Sequence, residues 1–423
     1  MPTKPLWPSN GRCLKGTEAV VAFEQPHPHQ SAPASPPQTP WQLPFFDAAH
    51  RALGQGLSAW TLQQTVDERD DRIACRDWVQ RLGADGWLRY CVPAAFGGAL
   101  PQLDARALVI ARETLAYYSP LADFAFAMQG LGSGAITLAG TPQQQAAHLP
   151  AVAQGRHIAA FALSEPEAGS DVAALRCQAQ ATAAGWQLDG SKTWISNGDM
   201  ADFYVTFAKT DPAAGSRGIS AFIVPAGQPG LDSSHHLQLM APHPVAALQF
   251  QACTLPPNAL LGPLNGGFKL AMRTLDIFRT SVAGAALGMA RRALAEATAH
   301  VQRRQMFGAT LADLQLTQAR LGEMTALVEA AALLTYRAAW LRDTSPADQP
   351  LPRSYTAAAA MAKLTATENA QRVIDMALQM HGGLGVQVGQ KIESLYRDIR
   401  ALRIYEGASE VQLLILGKAA LQA

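Results

Sequence analysis

Apolar positions recur at helical spacing from about residue 46 to 158. In the segment 67–87, Ile73, Trp78, Val79 and Leu82 share one face, and Gly83 reads as a stop signal. The stretch Asp104–Tyr118 repeats that spacing. Near residue 159 the texture changes. Short runs rich in aromatic and β-branched residues follow (157–165, 185–197, 201–210, 218–226 and 246–256), divided by Gly, Pro, Asn and Asp. Asp189-Gly190 between two apolar runs predicts a hairpin. The block 159–262 therefore reads as a small antiparallel β-domain. From 264 the chain is helical again and rich in alanine. One long helix is predicted up to about Gln305, then helices at about 311–342 and 354–381. A last helix at about 389–420 is interrupted by Tyr405–Ser409. Small residues at helical spacing let helices approach closely, as in a bundle.

Length and composition agree with three units. The 423 residues correspond to about three domains. With 48% hydrophobic and 16% charged residues, the chain is neither disordered nor collagen-like. Lys and Arg number 34 against 33 Asp and Glu, so there is no bulk charge to attract nucleic acid or an anionic membrane. A phosphate-bearing ligand must be held by a few placed groups. The five cysteines (Cys13, Cys75, Cys91, Cys177, Cys253) form no CxxC pair, which fits a reducing, cytoplasmic setting. No membrane span and no signal peptide are expected. Ten of the 27 prolines lie in residues 1–44, which reads as an extended, disordered tail. The expected units are thus a tail (1–44), a helical domain (45–158), a β-domain (159–262) and a helical bundle (263–423).

Several common chemistries have no candidate. There is no nucleophile elbow and no P-loop. Gly130–Ala135 fits a dinucleotide fingerprint by letter, but it follows a helical pattern and no acidic residue lies between Asp123 and Glu165. A helix-contact stripe is the expected reading. The ten histidines lack zinc-type spacing, so no metal site is expected.

Five segments remain. Phe161–Asp171 joins a strand to a Pro/Gly loop. Lys192–Gly198 places Trp194 and Ser196 on one strand. Arg303–Gln315 ends the long helix with Arg304, Phe307 and Gly308. Gln379–Gly385 and Tyr396–Glu410 close the chain. Each alone has a plain structural explanation: a turn, a core aromatic, a helix-terminal cation, a glycine cap. Together, in this order, they resemble the acyl-CoA dehydrogenase family of flavoproteins over about residues 46–421. The family loop T-E-P-x-A-G-S-D is matched by Ser164–Asp171, and W-I-[TS]-N by Trp194–Asn197. R-x-x-F-G followed by Gln is matched by Arg304, Phe307, Gly308 and Gln315. Q-x-[HFY]-G-G is matched by Gln379–Gly383, and I-Y-E-G-T-S by Ile404–Ser409 with Ala408 in place of Thr.

The resemblance implies a mainly α fold with a central β-domain: helical domain, β-barrel-like middle, C-terminal four-helix bundle. It implies FAD, held by Phe161, Leu163, Ser164, Gly169 and Ser170, covered by Trp194 with Ile195, and reached near N5 by Ser196. Arg304, Phe307, Gln315, Gln379, Gly382 and Gly383 are implied to hold the pyrophosphate and adenosine from a neighbouring subunit of a homotetramer, with Ser409 and Glu410 also at the cofactor. Planar Arg contacts suit phosphate, and glycine admits close main-chain approach. The implied reaction is acyl-CoA α,β-dehydrogenation in fatty acid metabolism, with electrons passing to an electron-transfer flavoprotein. Glu406 matches the base. The other family position for a base is occupied by Phe278. Ser170, Asp276, Arg279, Gly407 and Lys418 match the substrate side, although Asp276 and Arg279 also fit an i, i+3 ion pair. The bulk of Phe278 suggests a short, branched or cyclic acyl group. His243, in Ala241–Ala246 where the family usually carries Arg and Ser/Thr, reads as a loop residue. A carrier-protein-tethered substrate, an oxidase of the same fold and a non-catalytic paralogue are the alternatives.

Overall fold

The computed structural model describes residues 39–345 and 353–422. The first helical layer comprises α1 (Ala48–Thr61), α2 (Asp71–Ala84), α3 (Ala105–Tyr118), α4 (Pro120–Ala139) and α5 (Pro142–Ala153). Each start is written in the sequence. Asp47, Asp70, Asp104, Ser119 and Thr141 accept main-chain N–H groups of the first turns, and α4 and α5 open with proline. Most of the expected tail, residues 1–38, lies outside the described residues. Its remainder is not tail-like. Thr39–Gln42 forms a 3₁₀ turn, and Trp41 is only 2% exposed. The Trp41 ring lies where a Cβ on Gly54 of α1 would come within 2.6 Å, so that glycine makes the seat.

The middle of the chain folds into an eight-stranded sheet. Its strands are β1 (Ala159–Ala162), β2 (Gln178–Thr182), β3 (Gly185–Ser196), β4 (Phe203–Lys209), β5 (Ile219–Pro225), β6 (Leu231–His236), β7 (Val245–Leu255) and β8 (Leu260–Leu261). The order is β6-β7-β3-β2-β4-β5-β8, with β1 alongside β4. Two expectations need correction. The sheet is not wholly antiparallel, because β1 and one residue of β2 pair parallel to β4. Asp189-Gly190 is not a hairpin: both residues lie inside β3, where the register against β7 shifts between Leu188 and Gly190. Gly190 adopts φ +139° and sits so close to Cys177 that a Cβ would come within 2.7 Å of its Cα. Glycine here makes a bulge under tight packing. The turn itself falls between Thr182 and Gly185.

The long helix α6 (Gly267–Arg303) is followed by a two-stranded hairpin, β9 (Gln305–Met306) and β10 (Ala309–Thr310). Then come α7 (Gln315–Asp343), α8 (Arg353–His381), α9 (Lys391–Leu402) and α10 (Ser409–Ala420). Helix α6 packs on both α8 and α3. Gly284 and Gly288 of α6 admit the α3 main chain so closely that Cβ atoms there would lie 2.7 and 2.2 Å from the carbonyl oxygens of Val109 and Glu113. The stripe at 130–134 is indeed a contact surface inside α4. Gly132 faces β1 at Ala159, while Gly130 and Gly134 face the ring of Phe278 on α6. No helix among the described residues is long and apolar enough to cross a membrane.

Candidate functional site

Ser164–Asp171 is pinned to β3 by a buried ion pair. Lys192 donates from Nζ to Glu165 Oε1 at 2.7 Å and to the Leu163 carbonyl at 3.1 Å. Glu165 also accepts the main-chain N–H of Cys177, and Thr193 N–H donates to the Ser164 carbonyl at 3.0 Å. The loop and Trp194 thus share one rigid support. Trp194 and Asn197 both adopt left-handed backbone, at φ +57° and +59°. Asn197 is fixed there by its N–H to the Pro244 carbonyl and by Nδ2 to the Ala159 carbonyl. This twist at the strand end leaves the Trp194 indole 61% exposed. Phe161, Ser164 and Ser196 are half-buried, and Gly169 and Ser170 are exposed. The side chains of Leu163 and Ile195 are buried, so only their main chain is available to a ligand.

The second part of the site is the turn between α9 and α10. Glu406 and Gly407 are both left-handed, at φ +52° and +93°. Two consecutive residues in that region need external ties, since only glycine adopts it at little cost. The ties come from three elements. Arg279 of α6 donates from Nε to the Glu406 carbonyl at 3.2 Å. Lys363 of α8 and Gln412 of α10 both donate to the Gly407 carbonyl at 2.8 Å. Arg279 in turn pairs with Asp276 at 2.7 Å, so the i, i+3 ion pair is present. Glu406 Oε2 is buried and has no hydrogen-bond partner, as is Gln412 Oε1. Burial pushes the Glu406 carboxyl above its usual range, opposed by the charges of Arg112, Arg279 and Lys363. Ser409, expected at the cofactor, opens α10. It is buried, and its hydroxyl donates to Glu368, holding the start of α10. Glu410 and Lys418 are exposed on α10.

A third group lies at the far end of α6. The rings of His300 on α6 and His381 on α8 stack at 4.3 Å, which brings the two helix ends together. Arg304, Phe307 and Gln315 on one side, and Gln379, Gly382 and Gly383 on the other, are exposed around that stack. Arg304 makes no ion pair within the described chain. Gly308 and Gly382 are left-handed, with open space where a Cβ would stand. An exposed indole, an open glycine cradle and an uncommitted guanidinium are the groups a flavin dinucleotide requires.

Sequence reasoning missed the residues behind the base loop: Lys363, Gln412, Arg112 and Asp123. The signal was available. Asp123 is the lone charge of an apolar helix, Arg112 lies inside the helix before it, and Lys363 is a lone cation among alanines. His243 is also more than a loop residue. It is 4% exposed, stacks on Phe124 at 4.8 Å, and its Nε2 stands 3.8 Å from Asp398 Oδ1.

A helical layer, a β-sheet that carries an exposed indole and a helical bundle that carries a buried carboxylate fit an oxidoreductase of the CH–CH bond. The chain belongs to the acyl-CoA dehydrogenase family: residues 51–156, 160–253 and 265–421 match its N-terminal, middle and C-terminal domain models. It is 38% identical to the human mitochondrial short-chain specific acyl-CoA dehydrogenase over 80% of this chain and 81% of that one. Among solved structures it resembles butyryl-CoA dehydrogenase from Megasphaera elsdenii (TM-score 0.82, 31% identity, 89% of this chain and 99% of that one). It also resembles an acyl-CoA dehydrogenase complexed with FAD from Bacillus anthracis (TM-score 0.82, 27% identity, 89% and 67%).

Proposed function

We propose that this protein removes the α-proton and the β-hydride of a short acyl-CoA thioester, giving the trans-2-enoyl-CoA, with Glu406 as the base. FAD is its cofactor and, when bound, supplies the hydride acceptor. The observation that carries the reading is the buried, unpartnered Glu406 Oε2 on a turn held by three separate elements. A carboxylate kept from water is a stronger base, which an α-C–H demands. In this reading the Glu406 main-chain N–H donates to the thioester oxygen and stabilises the developing enolate. Phe161, Leu163, Ser164, Gly169 and Ser170 form the support for the flavin, with the Trp194 indole covering it and Ser196 beside it. Asp276, Arg279, Gly407 and Lys418 belong to the substrate side.

Arg304, Phe307, Gln315, Gln379, Gly382 and Gly383 are assigned to the dinucleotide phosphates and adenosine. In α6, Arg303 lies about 36 Å from Arg279 at 1.5 Å rise per residue. In this reading one chain supplies its two ends to two different flavins, and the active form is an oligomer, a homotetramer. Electrons pass on to an electron-transfer flavoprotein. The four buried thiols Cys75, Cys91, Cys177 and Cys253 suit a reducing, cytoplasmic setting.

The test is anaerobic titration of the yellow protein with an acyl-CoA panel, following flavin bleaching. Glu406→Gln is expected to retain FAD and lose bleaching by about 10²–10⁴-fold. Undiminished bleaching in that variant removes Glu406 as the base. Peroxide formation in air identifies an oxidase, and absence of CoA binding identifies a carrier-tethered substrate.

A further inference from the structure

Behind the base loop lies an ion pair that the reaction as written does not use. Arg112 of α3 and Asp123 of α4 are 1% and 2% exposed. Nε and Nη2 of Arg112 donate to the two carboxylate oxygens of Asp123 at 2.8 and 2.9 Å. Its third nitrogen, Nη1, donates to Ser281 Oγ on α6 at 3.1 Å. Ser281 sits two positions after Arg279, the residue that holds the Glu406 carbonyl. The Arg112 guanidinium also acts electrostatically on Tyr405, the residue immediately before Glu406. The pair thus touches the helix that anchors the base loop, and its charges act on Glu406.

An apolar wall would fill this space at lower desolvation cost than an ion pair. The geometry points to a positioning role: Arg112, braced by Asp123 and Ser281 behind the base loop, favours the charged form of Glu406, and Asp123 is the counter-ion that tempers it. The inference rests on Glu406 being the base. The charged groups facing Glu406 are Arg112 from α3, Asp123 from α4, Arg279 from α6 and Lys363 from α8. Of the cations, Arg112 acts on the carboxyl most strongly, lowering its proton affinity, while Asp123 raises it. Asp276 faces Arg279, and Glu368 and Glu410 face Lys363, so these acids act on the base only through its other cations.

The two partners therefore predict opposite outcomes. Loss of Arg112 must leave Glu406 protonated to higher pH, moving the acid limb of kcat/KM upward. In Arg112→Met the stranded Asp123 takes up a proton in its dry site, so its charge does not reverse the sign. Asp123→Asn leaves the cation untempered and moves the limb downward. A shift of about one pH unit is expected in each direction for charges this close in a buried site. Arg112→Lys, which keeps the charge and loses the fork, should hold the limb near its original place even where its melting temperature falls.

The experiment uses the full-length holoenzyme. The pH profile of kcat/KM is recorded for Arg112→Met, Asp123→Asn and Arg112→Lys. In parallel the infrared band of the protonated Glu406 carboxyl, assigned by its loss in Glu406→Gln, is titrated without substrate. Should either single variant fail to fold, Arg112→Met/Asp123→Leu removes both charges, and its limb is expected to rise because Arg112 outweighs Asp123. Opposite shifts in the two single variants, or a raised limb in the double variant, support the positioning role. Limbs that stay in place, or that move the same way for both partners, overturn it. Full turnover in Glu406→Gln would instead sink the assignment of the base, and the infrared titration would still read the coupling of Arg112 to Glu406.

Discussion

Lys363 Nζ donates to the Gly407 carbonyl at 2.8 Å, one residue beyond Glu406, from a side chain that is fully buried. Burial pushes this lysine down to about 8, partly offset by the nearby Glu406 carboxylate. It therefore loses its charge within the range where such an enzyme is assayed. Above pH 8 the neutral amine still donates to Gly407, but Glu406 loses one of its three cations. Wild-type kcat/KM should show an inflection near pH 8 that is absent in Lys363→Met. That variant should also lose about tenfold in kcat, the equivalent of one buried hydrogen bond to a charged donor. An inflection that survives the substitution would assign the titration to another group.

Phe278 is 1% exposed, and its ring occupies the slot left by Gly130 and Gly134 of α4, within one helical turn of Arg279. In the proposed reading, an acyl chain that reaches Glu406 meets this plug. Phe278→Ala should shift the kcat/KM preference from C4–C6 toward C8–C12 acyl-CoAs by about tenfold, at a stability cost of about 3–5 kcal/mol. An unchanged chain-length profile, or a wild-type preference for long straight chains, would show that the chain leaves the site by another route. Gly130→Ala, whose Cβ would stand 2.6 Å from the ring, is expected to be destabilising without changing the profile.

Arg304 follows α6 as an exposed guanidinium with the open turns of Gly308 and Gly382 close by. A bidentate phosphate contact by Arg is charge-assisted and strong. Arg304→Ala should lose flavin on dialysis while keeping its secondary structure, and Arg304→Lys should restore only part of the retention, because lysine lacks the planar fork. The flavin-to-protein absorbance ratio after dialysis measures this directly. Equal ratios in the alanine variant and the parent would release Arg304 from the phosphate site.

The parts of this structure readable from the sequence are those governed by local rules. Helix starts at Asp47, Asp70, Asp104, Ser119 and Thr141 follow from capping chemistry. Strand segments follow from β-branched and aromatic runs. Gly190 misled because a hairpin glycine and a bulge glycine have the same local signature; the packing against Cys177 that decides between them is non-local. Trp41 misled for a similar reason. The prolines around it read as extended chain, and only the gap at Gly54, 13 positions on, gives the indole a place to bury. The base loop was legible as a motif, but its supports come from α6, α8 and α10, and the charges behind it from α3 and α4. The distances that make Arg112, Asp123 and Lys363 functional neighbours exist only in the folded chain.

Asp398 on α9 and His243 before β7 face each other at 3.8 Å, too far for a hydrogen bond, and both facing atoms are buried without partners. Burial pushes Asp398 up to about 7 and His243 down to about 4, so both are largely neutral near pH 5 to 6. The sign for Asp398 follows from linkage. Its folded value lies above its unfolded one, so the native state binds the extra proton, and the stability this confers is present below about pH 4 and lost as pH rises through 7. His243 acts oppositely and in a lower window, its cost appearing below about pH 6.5. Asp398→Asn removes only the first effect. The melting temperature of this variant relative to wild type should therefore improve as pH is raised from 5 to 8, by several degrees. Thermal unfolding followed by tryptophan fluorescence at four or five pH values checks it. A difference between variant and wild type that stays constant across that range would mean that Asp398 ionises normally and that its field is satisfied by Lys391.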